Sequence, residues 1–155
     1  MFKNLKNNTL SKNNEFETYL FLPKGKKKRF GEGGLRKKNI LKKSISNKPL
    51  ISIVTTNLND ELERTILSVI DQEYENIEFI IKDGGSDKKT IEILNYYDDK
   101  IDYWVSEEDN GIWDGTNKGL ILATGDYIVI LDSGDIFNEG ALMNIFDLIK
   151  KNPDA

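Results

Sequence analysis

Four apolar runs recur at a nearly constant interval: LISIV, IEFII, IDYWV and YIVIL begin at residues 50, 77, 101 and 127, which are 27, 24 and 26 residues apart. Between the first three, apolar residues return at helical spacing, as Leu62, Ile66, Val69 and Ile70 and then as Ile91, Leu94 and Tyr97. That spacing gives each helix one face for a sheet. Strands and helices alternating at this interval are βαβ units, which demand parallel strands joined by right-handed crossovers. The expected fold class is therefore α/β, an open, mainly parallel, Rossmann-like sheet with flanking helices. Asp60 with Glu63 reads as a capping box for the first helix, and Asp87 as the cap of the second. A third helix is expected from about Ile112 to Ala123, and Leu142, Ile145, Phe146 and Ile149 mark a closing one. Tyr127 to Leu131 reads as a strand buried on both faces, whereas Ile101, Tyr103 and Val105, alternating with Asp102 and Trp104, read as a strand nearer the sheet edge.

The 155 residues suffice for one domain or for part of a larger one. Neither cysteine nor histidine is present. Disulfides and thiolate metal sites are thus excluded, acid–base chemistry falls to carboxylates, and any metal is a hard one such as Mn²⁺ or Mg²⁺. No apolar run reaches the length of a membrane span, and MFKNLKNNTL lacks the apolar core of a signal peptide, so the expected location is cytoplasmic. Residues 1–48 carry 14 Lys and Arg against 3 acids, and residues 49–155 carry 8 against 23. The boundary near Pro49 separates a basic leader, partly disordered or packed on the domain, from a domain over 49–155. Such a leader suits anionic lipid headgroups at the inner face of a membrane, a phosphate, or the acidic domain behind it. Nucleic acid is not an expected partner. GEGG in the leader is no phosphate loop, because no strand precedes it and no Lys-Ser or Lys-Thr closes it.

Parallel strands all end on one edge. The residues that gather there are Thr56 and Asn57, then Asp83, then Glu108 and Asp109, then Asp132 and Asp135 of YIVILDSGD. Open parallel sheets bind ligands at that edge. An acidic edge repels a bare phosphate unless a divalent cation bridges the two. The chemistry that fits is a nucleotide diphosphate held through a metal, with carboxylates left for a base N–H and ribose hydroxyls. Gly84, Gly85 and Gly134 would let ligand atoms approach the backbone. Asp and Gly after a strand also make ordinary turns, so DGGS or DSGD alone says little; the force lies in every strand ending in a ligand-capable residue. Trp104 and Trp113 read as packing residues.

The runs SIVTTNLN, TILSVIDQEYENIEFIIKDGGSD and DYWVSEEDNGIWDGTNKGLILATGDYIVILDSGD resemble the family-two glycosyltransferases of the GT-A fold, over residues 49 to about 150. GGLRKKNILKKS resembles the segment that precedes this domain in bacterial polysaccharide glycosyltransferases. The resemblance implies transfer of a sugar, with inversion and metal assistance, from a nucleotide-sugar donor, a UDP-sugar first, to a glycan or lipid-linked acceptor. It implies that Thr56 and Asn59 lie beside the nucleotide, that Asp83 bonds the base with Gly84 beside it, and that Asp109 and Gly111 border the donor. GIWDGTNKG supplies Asp114 and Asn117 of a DxxN motif, and DSGD falls on the metal-binding acidic motif. There Gly134 replaces the usual metal-touching aspartate, which leaves Asp132 or Asp135 as ligand. Leu58 stands where the family often has Tyr against the nucleotide. In this fold the acceptor elements and the catalytic base come later, so no base is named here, and the expected product is a truncated, donor-binding half. The alternative is a non-catalytic nucleotide-binding or interaction module.

Overall fold

Strand β2 (Ile51–Asn57) forms the middle of the sheet and is buried along its whole length. The computed structural model describes residues 18–58 and 61–152. β3 (Ile77–Asp83) pairs with one side of β2 in parallel, Ile51 opposite Ile77 and Asn57 opposite Asp83. β5 (Tyr127–Ile130) pairs with its other side, also in parallel. β4 (Tyr103–Glu107) continues the sheet parallel to β3, and β1 (Arg29–Gly33) closes it antiparallel to β4, giving the order β1-β4-β3-β2-β5. The α/β class and the mainly parallel sheet are thus as expected.

Crossover handedness decides where the helices go. From β2 the chain steps through α1 (Leu62–Ile70) to β3 and through α2 (Lys88–Tyr96) to β4, always in one direction. Two right-handed crossovers in one direction place both helices on the same face. There Leu62, Ile66, Val69 and Leu94 bury against Ile51, Ile53, Phe79, Ile81 and Trp104, together with Leu142 of α4 (Ala141–Lys151). α3 (Ile112–Leu120) carries the chain back past β3 and β2 to β5, so the same handedness puts it on the opposite face. That face holds a second core, in which Val54, Ile80, Tyr103 and Val105 meet Leu122 and Ala123 just after α3.

Asp87 caps α2 as expected, accepting from the Thr90 N–H at 3.0 Å. The expected capping box at Asp60 lies outside the described residues. α3 ends three residues before the expected Ala123, and Leu122 and Ala123 follow in a turn bonded to Gly119 and Leu120.

Two strand expectations are reversed. YIVIL is an edge strand with one face open: Tyr127 and Val129 pack on the first core, while Ile128 and Ile130 are about half exposed. β4 is an interior strand buried at all five positions. The reason is that β1 comes from the leader and covers the side of β4 that would otherwise be an edge. Asp102, whose polarity suggested an edge, is buried before β4 and bonded by the Phe79 N–H and Lys42 Nζ, each at 2.8 Å.

The described part of the leader is fastened to the domain by more than β1. Leu20 and Leu22 are buried, and the Tyr19 N–H donates to Ile121 O at 2.7 Å. Arg36 is buried and donates to Glu78, to Leu20 O at 2.9 Å and to Leu122 O at 2.8 Å. Glu78, also buried, accepts in addition from Ser52 Oγ, the Thr124 N–H and the Thr124 hydroxyl. Among the described residues no helix is long and apolar enough to cross a membrane.

Candidate functional site

The sheet reverses direction at β2, since β3 and β4 lie to one side of it and β5 to the other. A crevice opens beyond the strand ends at such a reversal, and open α/β sheets bind ligands there. Here a cleft of about 260 Å³ occupies that place, lined by Thr56, Asn57, Leu58, Asp109, Ile112, Asp132 and Ser133.

Backbone pairing carries β5 past its last regular residue: the Leu131 N–H donates to Val54 O at 3.0 Å, and the Ser133 N–H to Thr56 O at 3.1 Å. DSGD is thereby laid against the end of β2. Ser133 Oγ donates to Asn57 Oδ1 at 2.7 Å, and Thr65 of α1 holds the turn from behind, accepting from the Gly134 N–H and donating to Asp135 O. Gly134 has φ 93°, a conformation the turn requires and other residues resist. Within this fixed turn Asp132 Oδ1 is buried and has no hydrogen-bond partner among the described residues. Asp135 is exposed. A buried carboxylate oxygen without a donor is unfavourable by about 1–3 kcal/mol or more, which makes Asp132 the candidate ligand position of the cleft.

Asp109 enters the cleft from the β4–α3 loop under tight control. Lys82, fully buried at the end of β3, donates to Asp109 Oδ2 at 3.0 Å and to the carbonyls of Asp83 and Glu107, each at 2.6 Å. Burial pushes the Lys82 ammonium below its ordinary pKa, and Asp109 opposes that shift. Asp109 Oδ1 accepts from the Gly111 N–H at 3.0 Å. The start of α3 comes close because residue 115 is glycine: a Cβ there would stand 2.8 Å from Thr56 Cγ2 and 3.0 Å from Asp109 Oδ2. One turn on, a Cβ at Gly119 would stand 2.5 Å from Val54 Cγ1, so the pair of small residues sets the distance between α3 and β2.

The remaining expected site residues are placed differently. Thr56 and Thr116 hydroxyls lie 3.1 Å apart, joining β2 to α3 beside the cleft. Asp83 is fully buried, and its two oxygens take five donors: Asn57 Nδ2, the hydroxyls of Ser86 and Ser106, and the N–H groups of Gly85 and Ser86. Asp83 thus braces the Gly84–Gly85 turn at the ligand edge, and the base contact that the resemblance implies for it would compete with these donors. Asp114, in the first turn of α3, accepts from the Asn110 N–H at 2.9 Å and pairs with Lys118 at 3.1 Å. The Asn110 N–H, aided by Lys118, holds its carboxyl below the usual range against the opposing effect of burial. Asn117 is exposed on α3 away from the cleft lining. Asn59 lies outside the described residues. Trp104 packs in the core as expected, but Trp113 is 79% exposed and belongs to neither core cluster.

Lys82, Gly115 and Thr116 were not among the expected site residues. A lysine closing an apolar strand directly before an aspartate was the available signal for the first. The four-residue interval from Gly115 to Gly119 was the signal for close helix approach.

A larger hollow of about 470 Å³ lies between the starts of α1 and α2, lined in part by Glu61, Arg64, Asp87 and Lys89. Among the described residues no polar atom buried there lacks a partner, so the cleft beyond β2 and β5 is the candidate site.

Comparison with known proteins places the chain in a family. A glycosyltransferase of Haemophilus influenzae is 39% identical over 111 residues, covering 68% of this chain and 44% of that protein. The GalNAc(5)-diNAcBac-PP-undecaprenol beta-1,3-glucosyltransferase of Campylobacter jejuni is 29% identical over 103 residues, covering 63% of this chain and 33% of its own length. The chain therefore spans less than half the length of these relatives. Two solved structures share its fold at about 20% identity: the mannosyltransferase PcManGT of Pyrobaculum calidifontis in complex with GDP-Man and Mn²⁺ (TM-score 0.59, covering 69% of this chain and 33% of that one), and S. aureus TarS in complex with UDP (TM-score 0.58, covering 66% and 32%). The profile of Glycosyl transferase family 2 matches residues 51–155, the whole of the parallel sheet and its helices, and the chain belongs to that family.

Proposed function

We propose that this chain is the donor-binding part of a glycosyltransferase that moves a sugar from a nucleotide-diphosphate sugar, a UDP-sugar first, to a glycan or lipid-linked acceptor with inversion. The observation that carries this reading is the unpartnered, buried Asp132 Oδ1 in the cleft where the sheet reverses direction. The donor set is hard oxygen throughout. No group of three metal-ligating side chains exists among the described residues. Carboxylate oxygens such as those of Asp132 and Asp135 suit Mg²⁺ or Mn²⁺, whose sites are often completed by one or two carboxylates, water and substrate phosphates. Asp132, with Asp135 beside it, would hold the ion. When bound, the metal supplies positive charge opposite the diphosphate leaving group.

The chain's own residues do the rest. Thr56 and Asn57 form the floor under the nucleotide, Leu58 gives it an apolar contact, and Asp109, immobilised by Lys82 and Gly111, accepts from a hydroxyl of the ribose or sugar. Since Lys82 spends its charge on Asp109 and two carbonyls, it does not compete for the phosphates. The complexes of the two structural neighbours with GDP-Man and UDP support a nucleotide donor, and the undecaprenol in the Campylobacter relative's name supports a lipid-linked acceptor. The corresponding place of work is the cytoplasm, at the inner face of the membrane.

Amide hydrogen exchange locates the donor. With a UDP-sugar and Mn²⁺, exchange is expected to slow at 56–58, 84–86, 109–116 and 132–135, and to stay unchanged at 61–64 and 87–93. Slowing confined to the second set would move the site to the hollow between α1 and α2 and overturn this reading.

A further inference from the structure

We propose that the cleft-bearing edge of the sheet docks on an anionic lipid surface through Lys24, Lys26, Lys27 and Lys28, with the aromatic side chains Phe30 and Trp113 as its apolar contacts. The inference rests on the lipid-linked acceptor proposed above and names the surface that would bring the cleft to it.

Topology puts these residues together. Because β1 runs antiparallel to β4, its first residues lie where the parallel strands end: Arg29 stands opposite Glu107, and the Glu108 N–H donates to Lys28 O at 3.0 Å. Phe30 is 40% exposed and lies over the turn after β3, so close that a Cβ at Gly85 would stand 2.9 Å from its ring. Trp113, in the first turn of α3, follows the loop after β4. The lysines just before β1, an exposed Phe and an exposed Trp thus share the edge that opens into the cleft.

Pairing separates these lysines from most of the described leader, in which Lys43 is the other exposed lysine that pairs with no carboxylate among the described residues. Lys37, Lys38, Lys42 and Lys48 each pair with a carboxylate of the protein. Lys24, Lys26, Lys27 and Lys28 are exposed and pair with no carboxylate among the described residues; the Lys28 ammonium sits 4.7 Å from the centre of the Phe30 ring. Four exposed cations without a buried polar group among them make no pocket for one phosphate. They suit a surface of many negative charges, and interfacial aromatic rings suit the same surface.

Sedimentation with vesicles tests the proposal. The full chain is expected to bind vesicles of phosphatidylcholine containing phosphatidylglycerol, to leave vesicles of phosphatidylcholine alone, and to be released by high salt but not by inorganic phosphate. Replacing Lys24, Lys26, Lys27 and Lys28 together by Ser lowers partitioning by on the order of 100-fold. The same exchange at Lys43, Lys100, Lys150 and Lys151, equal in charge and toward the end of the sheet where the parallel strands begin, leaves it within about threefold, because these charges lie beyond the screened reach of the docked membrane. Emission of Trp113 shifts to the blue on binding, and the shift disappears in Trp113→Phe. Absence of wild-type binding, release by inorganic phosphate, or equal loss in the two quadruple variants overturns the proposal. The Lys24–Lys28 variant keeps metal-dependent nucleotide affinity, so failure of the docking surface and failure of the donor site give different results.

Discussion

Glu78→Ala is expected to lower the stability of the fold by about 3–5 kcal/mol, the usual cost of removing one member of a buried ion pair. Without the carboxylate, the buried Arg36 guanidinium keeps as acceptors among the described residues the carbonyls of Leu20 and Leu122, while Ser52 and Thr124 lose their acceptor. Arg36→Met should cost less, because Glu78 retains three donors in Ser52 and Thr124. The double variant Arg36→Met/Glu78→Met removes both charges and should recover much of the loss. Urea unfolding of the three variants checks this. A loss below about 1 kcal/mol for Glu78→Ala would mean that the leader is not fastened through this pair.

Asp132→Ala carries the second large effect, and its two consequences have opposite character. Metal-dependent affinity for a nucleotide diphosphate should fall on the order of 100-fold, since even residues that merely support a metal ligand contribute 10- to 100-fold. Stability should hold or rise, because the substitution removes a buried oxygen that has no partner among the described residues. Asp135→Ala, at an exposed position, should weaken the metal dependence less. If Asp132→Ala instead unfolds the protein, the carboxylate is a structural part of the turn and not a ligand position.

The regular part of this architecture was legible because its period is a physical necessity: a strand, a crossover helix and the next parallel strand need about the spacing seen between residues 50 and 127. The edges of the sheet were not legible. Tyr127–Ile130 is apolar on both sides although Ile128 and Ile130 face outward, and Asp102 is polar although it is buried. Each residue's polarity is satisfied by neighbours distant in the chain, Lys42 and the Phe79 N–H in the case of Asp102. The site shows the same limit. Which carboxylates gather at the strand ends follows from topology, so the place of Asp109 and Asp132 in the cleft lining was legible. Whether a carboxylate there faces the cleft or the interior depends on its donors, and Asp83, surrounded by Asn57, Ser86 and Ser106, turned inward.

The central claim is that the cleft beyond β2 and β5 binds a nucleotide diphosphate through a metal held by Asp132. Calorimetric titration with UDP, GDP and ADP, each with and without Mn²⁺, tests it most directly. The account predicts binding that requires Mn²⁺, prefers UDP, and is lost in Asp132→Ala. Binding of equal strength with and without the metal, or no binding by a chain shown to be folded, would contradict it.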